Sequence, residues 1–292
     1  MLQNPRPLYT CLFQAVSETL LTVAHDPRHL GADIGLLAVL HTWGQPLHHH
    51  PHLHWVMPGG GLSPERTQWL SCRPTFFLPV RVLSRVFRRL FLTRLRQNHA
   101  EGRLTLTGHC QALAAPQPWQ QFLASLPHTA WGGYAKPPLG GPAHVWKSLA
   151  RSTHRVAIAH HRLRALDPGQ LTFPWKDYAH GNRQRTMTLD AVEFVRRCLL
   201  PVLPTGFQRL RQYGVLAHRR RQATLGLCRS VLQRLRGTAP GLQPAPTPPP
   251  RQEKPGGRCP ACQCGQMVWV ARLAPQPTPF AREPPPPSDD AS

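Results

Sequence analysis

The chain has 292 residues, 41% of them hydrophobic, enough to bury one large core or two small ones. Its formal charge is +22, from 35 Lys and Arg against 13 Asp and Glu, with arginines far outnumbering lysines; that excess calls for a polyanionic partner held by bidentate phosphate contacts, unless it serves only to keep a basic protein in solution. No run approaches the roughly 20 apolar residues of a membrane span, polar Gln14, Ser17, Glu18 and Thr19 break up any secretory signal, and eight scattered cysteines make no disulfide framework, so a cytoplasmic protein with reduced thiols is expected.

Taken in order, Leu12, Phe13, Val16, Leu20 and Val23 predict an amphipathic helix over 8–24, broken by Asp26-Pro27. An apolar run over 34–42 predicts a buried strand with Leu37, Val39 and His41 on one face. Next comes His48-His49-His50-Pro51-His52-Leu53-His54-Trp55-Val56-Met57-Pro58-Gly59-Gly60-Gly61. Side chains alternate along a strand, so His52 and His54 point one way and Leu53 and Trp55 the other. The two imidazoles are thereby placed to hold one divalent cation. The strand is expected to continue to Pro58, and the glycines to turn sharply or lie against a ligand. If the 34–42 strand pairs alongside, His41 either approaches the metal or hydrogen-bonds one of its ligands.

Helical periodicity follows over 79–97, with Val82, Leu83, Val86, Leu90 and Leu95 apolar and Arg81, Arg85, Arg88, Arg89, Arg94 and Arg96 around them. This is a basic ridge that tracks a phosphate backbone, or a solvated helix face. Residues 104–126 suggest a strand and then a short helix. Tyr134-Ala135-Lys136-Pro137-Pro138 and Gly140-Gly141-Pro142 form a loop entering a helix over 143–153. Two strands joined at Asp167-Pro168-Gly169 read as a hairpin of an antiparallel sheet. Thr188-Leu189-Asp190 caps a helix through Val192, Phe194, Val195 and Cys198, which Pro201 and Pro204 end. Arg209, Arg211, His218, Arg219, Arg220 and Arg221 make the densest basic run, a nucleic-acid clamp or a solvated charge run, and a last helix extends to Leu235.

Beyond Gly237 the composition turns to Pro, Gln, Ala and Thr, too poor in apolar surface to order itself. Within it, Cys259, Cys262 and Cys264 have the spacing of half a zinc knuckle. With no second CxxC to supply the fourth donor, zinc is not expected there. The expected fold is α+β, an antiparallel sheet with flanking helices over 8–236, followed by a disordered Pro-rich tail over 237–292.

Several longer words accompany the histidines: Gly35-Leu36-Leu37-Ala38-Val39-Leu40-His41-Thr42-Trp43-Gly44-Gln45, Phe77-Leu78-Pro79-Val80-Arg81-Val82-Leu83-Ser84, Tyr134-Ala135-Lys136-Pro137-Pro138, Thr153-His154-Arg155-Val156-Ala157-Ile158, Trp175-Lys176-Asp177-Tyr178 and Met187-Thr188-Leu189. In this order they resemble the rolling-circle insertion-sequence transposases of the HUH, two-tyrosine class, over most of the chain. The resemblance implies an HUH nuclease-like fold and single-stranded or unwound DNA at transposon ends as partner. It also implies a divalent ion, Mg²⁺ or Mn²⁺, on His52 and His54, with His154 as third ligand or as a phosphate contact. In the family a helix presents two tyrosines four residues apart, one attacking a phosphodiester to leave a phosphotyrosine and a free 3′-hydroxyl.

Aligned on Thr153-His154-Arg155, those tyrosine positions fall on Ser148 and Ser152, and Arg151 and Arg155 are placed to hold phosphates. The remaining tyrosines, Tyr9, Tyr134, Tyr178 and Tyr213, are scattered, with none at helical spacing from another. Family members carry a cysteine-rich zinc-binding segment ahead of the first helix, and this chain is expected to lack it. The expectation is a transposase-like DNA-binding protein deficient in cleavage. The alternatives are a non-catalytic remnant that occupies element ends or inhibits active relatives, and a decayed reading frame whose product does not fold.

Overall fold

A proline whose missing N–H costs nothing in a first helical turn opens helix α1, Pro5–His25, which ends where Asp26 turns extended. The computed structural model describes residues 1–73, 77–126, 131, 144–145, 149–150, 157–159, 162–177, 180–217 and 221–238. The apolar face expected of α1 is buried, with Tyr9, Cys11, Phe13 and Ala15 essentially out of solvent. Against it lies α2, Val80–Ala100, through Phe91, Leu92 and Leu95. Arg94 of α2 is ion-paired to Glu18 and donates to Gln14 Oε1 at 3.2 Å. It therefore staples the two helices together and leaves the predicted basic ridge.

The two helices cover one face of a three-stranded antiparallel sheet in the order β2-β1-β8, made of β1, Gly35–Trp43, β2, His49–Val56, and β8, Leu210–Gly214. Leu36, Ala38 and Leu40 of β1 join the helical core, as do the half-buried Leu53 and Trp55 of β2. Leu37, Val39 and His41 face the other way, as the alternation requires. β8 stands out because its sequence, Leu210-Arg211-Gln212-Tyr213-Gly214, has too little apolar alternation to announce a strand. It is recruited by pairing with β1 from Gly35↔Gly214 to Val39↔Leu210. Arg211 lies 4.4 Å from the Phe13 ring centroid, and Arg209 donates through Nε to Leu40 O at 3.1 Å. Both arginines thus serve the fold, while His218, Arg219 and Arg220 of the same basic run lie outside the described residues.

The second and third of the glycines after β2 meet backbone. β3, Gly60–Leu62, pairs with β4, Trp69–Ser71, and a Cβ on Gly60 would stand 2.4 Å from Leu70 O and one on Gly61 2.5 Å from Asp33 O. Only a residue without a side chain fits so close an approach. The strand expected near 104 is absent: a 3₁₀ turn at Gly108–Ala114 leads into α3, Pro116–Ser125.

A third antiparallel sheet joins β5, Ala165–Asp167, β6, Gln170–Asp177, and β7, Arg183–Asp190, with the hairpin turning at Pro168-Gly169 as read. β7 was not anticipated, since only Met187 and Leu189 of its eight residues are even half-buried. Asp190 accepts the Val192 N–H at 2.9 Å and caps α4, Ala191–Leu199. Four bonds fasten the β1–β2 turn to this region: Thr42 Oγ1 to Pro201 O at 2.8 Å, Trp43 Nε1 to Cys198 O at 3.2 Å, Arg197 to Pro46 O and Arg162 to Gln45 O. The last helix, α5, Arg221–Thr238, closes the unit Met1–Thr238. Antiparallel sheets with flanking helices give the α+β class expected.

Candidate metal centre

Pro51 has no N–H to give to the β1–β2 ladder, and the register shifts beside it: His41 pairs with His52, but Trp43 pairs with His49. Two residues of β2, His50 and Pro51, therefore oppose Thr42 alone, which is a β-bulge. Along β2 the strand alternation puts neighbouring histidines on opposite faces. His49 turns to the helical side, its Nε2 2.9 Å from Tyr9 Oη. His50, His52 and His54 stand on the other side, successive ring centroids 5.0 Å apart.

Register then supplies a third ring. His41, directly across from His52, lies 4.1 Å from the His54 ring centroid and 5.4 Å from that of His52. One nitrogen from each of His41, His52 and His54 falls within 4.8 Å of the other two. His41 is buried, His52 half-buried and His54 exposed, so the trio opens from the sheet toward solvent. His52 Nδ1 lies 2.7 Å from His50 O. A carbonyl only accepts, so Nδ1 carries the proton and Nε2 keeps its lone pair for a cation.

The donor set fits a divalent ion. Three imidazoles from adjacent strands leave positions open for water or phosphate oxygen, and with no carboxylate among them they suit Mn²⁺ or a borderline transition ion better than Mg²⁺. The structure brings His52 and His54 together on one face, as the strand reading expects, and sets His41 beside them at a distance that serves either of its two roles. His154 lies outside the described residues, as do Ser148, Ser152, Arg151, Arg155, Arg219, Arg220, Cys259, Cys262 and Cys264. In the segment expected to carry Ser148 and Ser152, His144, Val145, Leu149 and Ala150 are helical.

The arginines of α2 are not at this centre. Arg81, Arg85 and Arg89 are exposed at four-residue spacing and Arg88 is half-buried, all on the helical layer behind the sheet. Sequence reading missed His48 and His50 as part of the cluster. Their rings are 5.5 Å apart, and the signal was available in the same alternation that singled out His52 and His54. Burial, then His50 and Arg197, hold His48 below the ordinary imidazole value; burial foremost does the same for His49.

Among the described residues no helix is long and apolar enough to cross a membrane. A family model described as "Putative transposase" (Y2_Tnp) matches residues 35–223, which include the whole histidine cluster. The chain is 50% identical over 273 residues to "Putative transposase y4qJ" of Sinorhizobium fredii, covering 92% of this chain and 68% of that protein. It is 22% identical over 247 residues to the "Transposase for insertion sequence element IS801" of Pseudomonas savastanoi pv. phaseolicola, covering 83% of this chain and 55% of that one. No solved structure matches. With the strands of all three sheets inside the matched span, the chain belongs to the Y2 transposase family, the two-tyrosine insertion-sequence class to which its sequence words point.

Proposed function

We propose that this protein engages single-stranded or unwound DNA at the ends of an insertion sequence and does not cut it. The observation that carries the reading is a mismatch within one domain: three imidazoles able to hold one ion stand together at His41, His52 and His54, while serines stand at 148 and 152, where the resemblance puts the nucleophilic tyrosines. A phenolic oxygen stands roughly a ring's width farther from the backbone than a serine oxygen, so a serine falls short of a phosphate positioned for tyrosine. Phenolate, whose parent phenol has a pKa of about 10, is also a far better leaving group than an alkoxide, and rejoining depends on that departure. A divalent ion, when bound, polarises a phosphate oxygen and neutralises its charge.

The chain's own part is to bind and orient. His41 and His52 are fixed by strand pairing, His52 further by the bond to His50 O. Arg81, Arg85 and Arg89 offer a line of guanidinium groups to a phosphate backbone, with Arg88 at its flank. Arg151, Arg155, Arg219 and Arg220 are assigned the same task on sequence grounds. A protein of this kind occupies element ends and blocks active relatives from them.

The test uses labelled single-stranded oligonucleotides covering the DNA that flanks this coding region, with Mn²⁺. The wild-type protein should retard them in native gels and give no covalent adduct on denaturing gels, and the S148Y/S152Y variant should give one. A wild-type adduct would overturn the loss of cleavage, and absence of any retardation would overturn the DNA-binding role.

A further inference from the structure

We propose that His48 and His50 form a second cation site beside the His41/His52/His54 centre, selective for borderline transition ions such as Zn²⁺, Ni²⁺ or Cu²⁺. Five imidazoles make a continuous row: His48 to His50 at 5.5 Å between ring centroids, His50 to His52 and His52 to His54 at 5.0 Å, and His54 to His41 at 4.1 Å. One ion takes the last three, which leaves the two at the turn end of the row. Both are exposed, so an ion reaches them from solvent and completes its shell with water. Two nitrogen donors on alternate residues, with no carboxylate between them, suit the later first-row ions and not Mg²⁺ or Ca²⁺.

The turn is built to hold His48. Its ring lies over Gly44, where a Cβ would stand 2.6 Å from Cε1 and 2.8 Å from Nε2. Gly44 does not need its freedom of φ here, because its backbone lies in the region ordinary residues use; what it supplies is the seat for the ring. The seat is fixed by Gly44 N–H donating to His48 O at 2.9 Å, Leu47 N–H to Gly44 O at 3.1 Å, and a Leu47 side chain fully buried at φ +62°. Arg162 and Arg197 hold the carbonyls of Gln45 and Pro46 from outside. Arg197 places a positive charge near His48, but Glu193 Oε1 pairs with it at 2.6 Å and offsets that charge. The bulge at Pro51 sets His50 between the two sites, its carbonyl accepting from His52 Nδ1 and its ring turned along the row.

The experiment is isothermal titration calorimetry with ZnCl₂ on the full chain carrying C72S/C110S/C198S/C259S/C262S/C264S, which leaves only the buried thiols of Cys11 and Cys228. Two equivalents are expected, the second weaker. H48A/H50A and, independently, G44V should each bind one equivalent with the first affinity kept. H41A/H54A should lose the first and keep the second. Circular dichroism establishes that each variant is folded, and G44V leaves all five histidines in place. A single equivalent in the parent, or two equivalents persisting in both H48A/H50A and G44V, would overturn the second site. Loss of nothing in H41A/H54A would instead sink the triad reading and leave this one standing.

Discussion

The imidazoles of one strand divide into two chemical kinds. His52 and His54 face solvent and a neighbouring strand, whereas His49 is turned inward onto the hydroxyl of Tyr9. Burial keeps His49 below the ordinary imidazole value, so in the window below about pH 6.5 the unfolded chain binds the proton first. Stability is then fully present above that value and is lost as the pH falls through it. Thermal melts should show Tm dropping between about pH 7 and pH 5, and H49Q should flatten the drop; an unchanged slope would assign it to other groups. His41 makes a sharper claim, because it is the buried member of the trio. In an H48A/H50A background, H41A should weaken Mn²⁺ binding by about tenfold or more. Pulsed EPR of one bound Cu²⁺ should there count two coupled imidazoles instead of three, and three remaining would relegate His41 to an outer hydrogen bond.

At the scale of elements, what the sequence announces depends on where a segment's partners lie. α1, β1 and β2 each carry their own period, and the face of β1 holding Leu37, Val39 and His41 is legible in the sequence. β8 and β7 were not: the one is polar at Arg211 and Gln212, the other shows mostly exposed residues, and both exist because a remote strand offers its backbone. The third ligand was half-legible for the same reason. Nothing in the spacing of His41 and His52 fixes their register, which the Pro51 bulge then shifts. Gly214 shows how tightly β8 is specified, since it sits at φ +61° with its would-be Cβ 1.9 Å from Ile34 O. G214A should cost about 2 kcal/mol or more in chemical denaturation. A cost under about 0.5 kcal/mol, typical of unremarkable surface sites, would mean that β8 is not pinned there.

For the whole molecule, the net charge of +22 is not spread idly. Arg94, Arg209 and Arg211 are committed to helix stapling, a backbone carbonyl and an aromatic pair, while Arg81, Arg85 and Arg89 remain exposed. R81E/R85E/R89E should weaken single-strand binding and lower the slope of log affinity against log salt by about two, at about 0.7 per lost phosphate contact. An unaltered slope would move the DNA path off α2. The central position of β1 has a different consequence, for synthesis. Its outer flank waits for Leu210–Gly214, which leaves the ribosome long after the hairpin of β1 and β2 is complete. A frameshift upstream of Leu210 would leave Gly35 to Val39 with unsatisfied amides along an apolar rim, and such a product is destined for aggregates and proteolysis.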